Sequence, residues 1–444
     1  MMQTTLDTWL EKQYRYAAAA MRRSISAVDL VKERPGFGQA VRALPGSVVA
    51  SPVLAAYDPD PDYFFHWYRD SAVVMDALRL LHLDRIVTPS DARAAFADFV
   101  RFNSGLAMLD GGELVRSPEW RARVTPDFRK FLRTDADLRG AVGAAVSGET
   151  RVNPDGTLDI SQWARPQNDG PATRALMMLQ WMGCAPVDAA VKEAAAALIR
   201  ADLAFVKQSG RESCFDIWEE ERGRHYYTLR VSAGALRAGH DWLREQGDAK
   251  EAEACLGEAG AILEELDGFW LEQEGHYRSR ILEGGARSSK ELDIAIVFAA
   301  IHGGEGGLAH SVHDPRVHAT LAALEAIFAA DYPINHGRPQ GRGVAMGRYR
   351  GDVYYSGGAY YFSTLAAAEL CFRAAAGSQG GQFLERGDAF LETVRAFTPP
   401  DGQMSEQFDQ KTGAQTSARH LAWSYAALIS CRWARRAAVE RVRA

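Results

Sequence analysis

The chain has 444 residues, of which 47% are hydrophobic and 24% charged, with a formal net charge of -6 and an isoelectric point near 6.0. This composition is typical of a folded globular protein and excludes a disordered or fibrous chain. The acidic balance gives no electrostatic reason to expect a nucleic acid or an anionic membrane as partner. A neutral small molecule is therefore the favoured class of ligand.

The cysteines and the N-terminal region indicate a cellular compartment. Cys184, Cys214, Cys255, Cys371 and Cys431 are scattered without C-x-x-C spacing, which predicts neither a disulfide framework nor a zinc site. Residues 1–30 lack the basic stretch, apolar run and cleavage site of a signal peptide. No apolar run reaches the roughly 18 residues that cross a bilayer. We therefore expect a cytoplasmic protein.

A 3.6-residue hydrophobic period recurs along the whole chain and predicts an almost entirely helical protein. Amphipathic helices alternate strictly with helices that are apolar nearly all round, and the second kind should be buried under the first. This alternation predicts an (α/α)6 toroid of six inner and six outer helices, forming one domain over residues 1–444. In chain order the sequence predicts helices over Leu6 to Leu30, Ser71 to His82, Ser90 to Ser104, Pro171 to Met182, Val187 to Ser209, Tyr226 to His240, Ala249 to Trp270, Glu291 to His302, Asp314 to Ala330, Gly358 to Ala376, Gln382 to Ala396 and Ser417 to Ala437.

Clusters of Trp, Arg, Asp and Glu lie mainly just before the apolar helices, so we expect them to meet at one rim of the toroid. Aromatic faces together with charged hydrogen-bonding groups suit a sugar ligand. Carboxylates on separate loops also suit hydrolysis of a glycosidic bond, which needs one protonated and one ionised carboxyl group. The clusters are YFFHWYRD (63–70), QWARPQNDGP (162–171), FDIWEEERG (215–223), RSSKELD (287–293), GRYRGDVYYSGG (347–358) and SEQFDQKTG (405–413).

Two acidic loops are candidates for this chemistry. Glu219 lies beside Glu220 and close to Glu221 and Asp216, and crowding of like charges would raise the pKa of one carboxyl and keep it protonated. The plainer alternative is an acidic loop in contact with solvent. Glu406, taken alone, is better interpreted as a surface loop residue.

Together these blocks, in this order from about Tyr63 to Leu428, resemble the glucoamylase family of glycoside hydrolases, family 15. The resemblance implies the (α/α)6 toroid and an inverting, exo-acting hydrolase that releases β-glucose from the non-reducing ends of α-glucosides. It implies no metal and no cofactor, in agreement with the lack of an H-E-x-x-H or P-loop motif.

The resemblance also assigns residues to roles. Glu219 matches the general acid of the family and Glu406 the general base. Tyr63 and Gln407 match residues that position the base and its water. Arg69, Asp70 and Arg348 match residues that grip the terminal glucose. The other substrate-binding residues implied are Trp67, Trp163, Trp218, Glu220 and Trp423, and Asp216 resembles a residue that tunes the acid or contacts the next sugar.

Simpler interpretations remain for some of these positions. Core packing would also explain Trp163 and Trp423. Asp70 would serve as the N-cap of a helix starting at Ser71. A non-catalytic oligosaccharide-binding toroid is a further alternative to a hydrolase.

Two departures from the fungal members bear on the substrate. Arg350-Gly351-Asp352 replaces a common Pro-Glu-Asp, and Tyr360 stands where tryptophan is common, both near the expected second-sugar region. We also expect neither a starch-binding module nor an N-terminal β-sandwich domain. We expect short oligosaccharides with α-1,4 malto or α-1,6 isomalto linkages, and an α,α-trehalase is the alternative.

Overall fold

The computed structural model describes residues 5–57, 59–117, 119–184, 187–304 and 307–443, so both ends of the predicted domain lie outside the described residues. Within these ranges helices dominate. They are α1 (Leu6–Arg22), α2 (Tyr68–Leu83), α3 (Pro89–Leu106), α4 (Gly111–Arg116), α5 (Glu119–Ala122), α6 (Asp135–Gly140), α7 (Asp169–Cys184), α8 (Ala189–Ser209), α9 (Tyr226–Glu245), α10 (Ala249–Asp267), α11 (Ala295–His302), α12 (Pro315–Asp331), α13 (Tyr361–Ala374), α14 (Gly380–Phe397) and α15 (Ala422–Arg443).

The long helices form two concentric rings. The inner ring runs α2, α7, α9, α11, α13 and α15, and α15 packs back on α2 to close it. The outer helices α1, α3, α8, α10, α12 and α14 each pack on an inner neighbour. The alternation predicted from hydrophobic periodicity is therefore confirmed, and the fold is an (α/α)6 toroid.

Side chains of the inner ring are buried on nearly every face, whereas the outer helices bury one stripe. Trp181 on α7 shows how the rings are joined: its indole stacks on Phe96 of α3, with centroids 5.0 Å apart, and its Nε1 donates to the backbone oxygen of Met75 on α2 at 2.9 Å. Buried aromatic side chains of this size contribute strongly to such packing.

The predicted helix over Leu6 to Leu30 was too long, because α1 ends at Arg22 and Ser26 adopts a left-handed backbone with φ of 52°. Beyond it the chain forms a hairpin rather than a further helical turn. Three inner helices begin a few residues later than predicted, at Ala295, Tyr361 and Ala422. The polar segments before them are consequently loops, free to carry side chains to the end of the ring.

Short antiparallel strands hold these loops, although the sequence predicted almost none. The pairs are β1 with β2, β3 with β4, β5 with β6 and β6 with β9, β7 with β8, and β10 with β11. Their bounds are β1 (Val31–Arg34), β2 (Gln39–Arg42), β3 (His66–Trp67), β4 (Arg151–Val152), β5 (Cys214–Phe215), β6 (Arg222–His225), β7 (Trp270–Leu271), β8 (His276–Tyr277), β9 (Arg280–Leu282), β10 (Gln407–Phe408) and β11 (Gln415–Thr416).

In the part of the chain that the structure describes, none of the helices combines the length and the apolar character needed to span a membrane.

Candidate active site

The loops that precede the inner helices enclose a cavity at one end of the ring, as the sequence predicted. Apolar walls come from residues such as Ile217, Phe362 and Leu421. Most of the predicted site residues line this cavity. They are Tyr63, Trp67, Arg69, Asp70, Trp218, Glu219, Arg348, Glu406 and Trp423.

Glu219 lies at the tip of the hairpin formed by β5 and β6. Its backbone N–H donates to the oxygen of Asp216 at 3.0 Å, and its φ of 65° is left-handed, a conformation that non-glycine residues adopt mainly where the surrounding structure imposes it. Trp67 Nε1 donates to Oε1 at 2.7 Å, and Trp163 Nε1 donates to Oε2. Both carboxylate oxygens are therefore held in place.

Burial raises the pKa of Glu219, against the opposing effect of nearby arginines and of the two indole N–H groups. The explanation predicted from the sequence, crowding by neighbouring carboxylates, was wrong. Asp216 and Glu221 both pair with Arg280, and Glu220 pairs with Lys290 at 2.8 Å. These neighbouring charges are compensated, so desolvation is what favours a protonated Glu219.

Glu406 reaches the cavity from the segment just before β10. Its backbone N–H donates to the oxygen of Ala418 at 2.8 Å, which ties it to the adjoining strand β11. The hydroxyl of Ser417 donates to its Oε2, and Tyr63 Oη lies 3.4 Å from each carboxylate oxygen. Burial raises the pKa of Glu406 to about 7. Glu406 is buried in the cavity wall, which excludes the interpretation as a surface loop residue.

Arg69 and Asp70 lie in the first turn of α2. Asp70 is not the N-cap, because α2 begins at Tyr68 and Trp67 occupies the N-cap position. Arg69 Nη1 is 2.9 Å from Asp169 Oδ2, and Arg69 Nη2 is 3.5 Å from Asp70 Oδ2.

Two polar atoms of this pair of cavity-lining residues make no hydrogen bond within the described part of the chain. Asp70 Oδ2 and Arg69 Nε are buried and have no hydrogen-bond partner among the described residues. Burial raises the pKa of Asp70 to about 6. Buried polar groups without partners are costly, which makes these atoms strong candidates for binding a ligand.

Arg348 is fixed by a bidentate contact with Asp352, at 2.7 Å from Nε and 2.6 Å from Nη2. Its Nη2 also lies 3.1 Å from Glu220 Oε1, which connects it to the loop of Glu219. Glu220 accepts a further hydrogen bond from the hydroxyl of Tyr349. With Lys290, Glu220 thus has three side-chain partners.

Gln407 was expected to position the base and its water, but its amide is turned toward the protein. Nε2 donates to the oxygen of Tyr354 at 3.0 Å and to the hydroxyl of Tyr360 at 2.9 Å, and Oε1 accepts from Ser356 Oγ at 2.9 Å. The walls of the cavity, as far as the structure describes them, do not include Gln407. It fixes the segment that follows Arg348.

The tryptophans divide between surface and core. Trp163 is 42% exposed, which excludes core packing for it. Trp423 is buried, stacks on Phe362 with centroids 4.9 Å apart, and still lines the cavity. It also borders a second cavity of about 580 Å³, lined mainly by residues of the inner helices α2, α7, α11, α13 and α15. Trp423 therefore lies between the two cavities. Trp218 donates its Nε1 to Asp293 Oδ2 at 2.9 Å.

The residues that depart from the fungal pattern lie outside the described cavity lining. Tyr360 is fully buried and donates its hydroxyl to Asp352 Oδ2 at 2.9 Å. Arg350 points to the surface and pairs with Asp331 at 2.8 Å. Neither belongs to the cavity lining that the structure describes.

Several side chains of the site were missed by sequence reasoning. Asp169 holds Arg69, Ser417 holds Glu406, and Tyr354 Oη lies 2.8 Å from Tyr63 Oη. Arg151 packs on Trp163. These residues touch the predicted ones rather than the cavity, so a signal for them required the spatial arrangement. Asp169, inside the QNDGP block, offered the nearest sequence clue.

Comparison with known proteins agrees with this geometry. The model of Glycosyl hydrolases family 15 matches residues 146–385 and 381–433, well over half of the chain. The chain belongs to glycosyl hydrolase family 15. The probable glucoamylase of Schizosaccharomyces pombe is 27% identical over 98% of this family 15 chain and 93% of its own length. Glucoamylase 1 of Rhizopus oryzae is 26% identical over 97% of this chain and 71% of its own length.

Solved structures give the same fold for this family 15 hydrolase. The glucoamylase of Saccharomycopsis fibuligera matches with a TM-score of 0.77 at 21% identity, over 99% of this chain and 97% of that one. The family 15 glucoamylase of Hypocrea jecorina matches with a TM-score of 0.76 at 23% identity, over 98% and 73% of the two chains. The family membership makes the protein a glycoside hydrolase of the glucoamylase type.

Proposed function

We propose that this hydrolase is an inverting, exo-acting α-glucosidase that releases β-glucose from the non-reducing ends of short α-glucosides. The observation that carries the proposal is the placement of Glu219 and Glu406. These two carboxyl groups come from separate loops, and both line one cavity together with Arg69 and Asp70. Inverting glycosidases use one carboxyl as acid and another as base, with a water between the base and the sugar.

Glu219 is the proposed general acid. Burial raises its pKa, which favours the protonated form that a general acid needs. In the reaction it donates its proton to the glycosidic oxygen while the bond to the anomeric carbon breaks. The role as acid follows from the family resemblance of the W-E-E block.

Glu406 is the proposed general base. It removes a proton from a water molecule, whose oxygen attacks the anomeric carbon from the face opposite to the leaving group. Hydroxyl groups of Ser417 and Tyr63 lie against its carboxylate and favour the ionised form that a base requires. A single displacement of this kind converts an α-linkage into β-glucose.

Arg69, Asp70 and Arg348 are the proposed binding groups for the terminal glucose. The buried Oδ2 of Asp70 and Nε of Arg69 have unused hydrogen-bonding capacity within the described residues, and sugar hydroxyls can both donate and accept. A site built from buried polar groups rejects ligands that leave them unpaired. Exo action is what the family resemblance of the site implies.

The proposal extends to linkage, location and cofactors. Maltose-type and isomaltose-type disaccharides are the proposed substrates, and neither metal nor cofactor takes part. The cysteines in the described part of the chain are unpaired, which supports the proposed cytoplasmic location.

Carboxamide variants test the catalytic assignment. Glu219→Gln and Glu406→Gln should each lower kcat for maltose or isomaltose by at least about 1,000-fold, since each removes one proton-transfer group. Glu221→Gln is the matched control, because Glu221 is on the same loop but pairs with Arg280 at 2.9 Å. Wild-type activity in either of the first two variants would refute the assignment.

A substrate panel tests the linkage. We expect kcat/KM for maltose or isomaltose to exceed that for trehalose and to change little with longer maltooligosaccharides. A steep rise with chain length would overturn the preference for short substrates, and a preference for trehalose would indicate an α,α-trehalase.

A further inference from the structure

Arg151, on β4, contacts both tryptophans that donate hydrogen bonds to Glu219. Its guanidinium carbon lies 3.6 Å from the ring centroid of Trp163 and 4.9 Å from that of Trp67. The side chain is only 4% exposed, and its Nε donates to Asp159 Oδ2 at 2.9 Å. Arginine is well suited to such packing because its planar, permanently charged group stacks on aromatic faces.

The contact with Arg151 matters for Trp163 because this tryptophan is half-exposed. It is 42% exposed and lies on a loop, so its ring is not enclosed by the core. The contact with Arg151 covers one region of the ring, and the indole N–H then points to Oε2 of Glu219. Trp67 is buried and donates to Oε1 at 2.7 Å. The direction of the Glu219 carboxyl therefore depends on two indole planes, and both contact Arg151.

The charge of Arg151 acts on the same carboxyl. Arg69 and Arg151 both lower its pKa against the effect of burial. On the opposing side, the charge of Glu219 raises the pKa of Asp70 and the pKa of Tyr63, so these groups also face it. The acidic groups on its own loop, Asp216, Glu220 and Glu221, are paired with Arg280, Lys290 and Arg348.

We propose that Arg151 is a positioning residue for the general acid. Arg151 orients Trp163 and Trp67, and these two indoles hold the carboxyl group of Glu219 toward the cavity. The inference rests on the proposed acid role of Glu219. It adds a residue outside the cavity to the machinery for proton donation, acting through the two indole rings.

The test compares pH profiles of kcat/KM for Arg151→Met, Arg151→Lys and the wild type. The alkaline limb reports the acid, since Glu219 must be protonated to act. Loss of the positive charge raises the pKa of Glu219, so Arg151→Met should move this limb upward by about half a pH unit or more. Misorientation should lower kcat about 10- to 100-fold, with KM changed by less than about threefold.

Arg151→Lys keeps the charge without the flat guanidinium. Its alkaline limb should stay within about 0.3 pH units of the wild type, while kcat falls by a smaller factor than in Arg151→Met. Arg133→Met is the matched control, because Arg133 is buried in the same loop region and pairs with Glu149 at 2.9 Å. The control should leave the alkaline limb unchanged.

Each outcome decides the inference. A folded Arg151→Met with the wild-type alkaline limb and the wild-type kcat overturns it. An equal loss of kcat in Arg151→Met and Arg133→Met, with the alkaline limb of both variants unshifted, also overturns it. If Arg151→Met does not fold, Arg151→Lys with wild-type kcat also overturns it. An active Glu219→Gln would instead refute the acid assignment itself, so the two failures are distinguishable.

Discussion

Ser417 shows how single residues set the chemistry of the site. Its hydroxyl donates to Glu406, and this hydrogen bond lowers the pKa of a carboxyl that burial raises to about 7. The hydroxyl stabilises the ionised form, which is the form a general base needs. Ser417 adopts a φ of 63°, which aims the side chain at the carboxylate.

Replacing Ser417 by alanine should therefore raise the pKa of Glu406 further. Because the base works only when ionised, activity is lost as the pH falls through this pKa, and the acidic limb of kcat/KM should move upward. We expect a shift of about 0.5 to 1 pH unit. Ser356→Ala is the control, since Ser356 donates to Gln407 at 2.9 Å. An acidic limb that stays in place or moves down would contradict the account.

At this scale the sequence predicted the residues proposed to carry the chemistry but not those that contact and orient them. Glu219 and Glu406 were assigned through the resemblance of their motifs to family 15. Arg151 did not, because its effect depends on stacking against rings that are distant in sequence. The hydrogen bonds of Gln407 were not predictable from the sequence either. Only the structure shows that its amide donates to Tyr354 and Tyr360.

Among the elements, the small sheet of β5, β6 and β9 determines where Glu219 lies. Gly223 on β6 pairs with Leu282 on β9, and a Cβ at this position would overlap the backbone oxygen of Ile281. Only glycine permits this close approach of two backbones. The hairpin tip with Glu219 is thereby fixed relative to the loop before α11.

Gly223→Ala should force β6 and β9 apart. We expect a loss of about 1 to 3 kcal/mol in the free energy of unfolding, together with a lower kcat because the tip is displaced. Urea denaturation and kinetics on the same sample measure both. Gly257→Ala, on the outer helix α10 with nothing within 4 Å, should instead stabilise by about 0.5 to 1 kcal/mol. Equal stability of the two variants would contradict this interpretation.

Helices were predictable at the element scale, whereas the loops before them were not. Periodicity of 3.6 residues located the helices because it reflects burial of a face. The ends were missed where tertiary contacts impose a left-handed residue, as at Ser26 and His420. The short strands were also missed, since pairs such as β3 with β4 contain only two residues each.

At the scale of the whole molecule, a buried ion pair joins the two rings. Arg174 on the inner helix α7 binds Asp202 on the outer helix α8 in a bidentate contact, at 2.9 Å and 2.6 Å. Arg174 Nη1 also donates to Asn103 on α3 at 2.9 Å. All three side chains are buried. A cation in this position requires its partners.

Asp202→Asn should leave Arg174 uncompensated and lower the free energy of unfolding by about 3 to 5 kcal/mol, while the pH profile of the remaining folded enzyme is unchanged. Asp98→Asn is the control, because the pair between Asp98 and Arg101 is on the surface and should contribute about 0 to 1 kcal/mol. Denaturant midpoints measure both. A similar small effect in the two variants would show that the buried pair does not hold the rings together.

The toroid itself was predictable because alternation between apolar and amphipathic helices is a property of the entire chain. Closure of the inner ring, with α15 packed on α2, confirms it. The sequence left the glycosidic linkage open. Its departures from the fungal members, Arg350 and Tyr360, do not line the described cavity walls.

The central claim, single displacement by Glu219 and Glu406, is tested most directly by the configuration of the first product. Proton NMR during the first minutes of hydrolysis of an α-linked disaccharide, before mutarotation, distinguishes the two anomers of the released glucose. The account predicts that the β anomer appears first. Initial release of α-glucose would contradict it, because that outcome requires a covalent intermediate and two displacements.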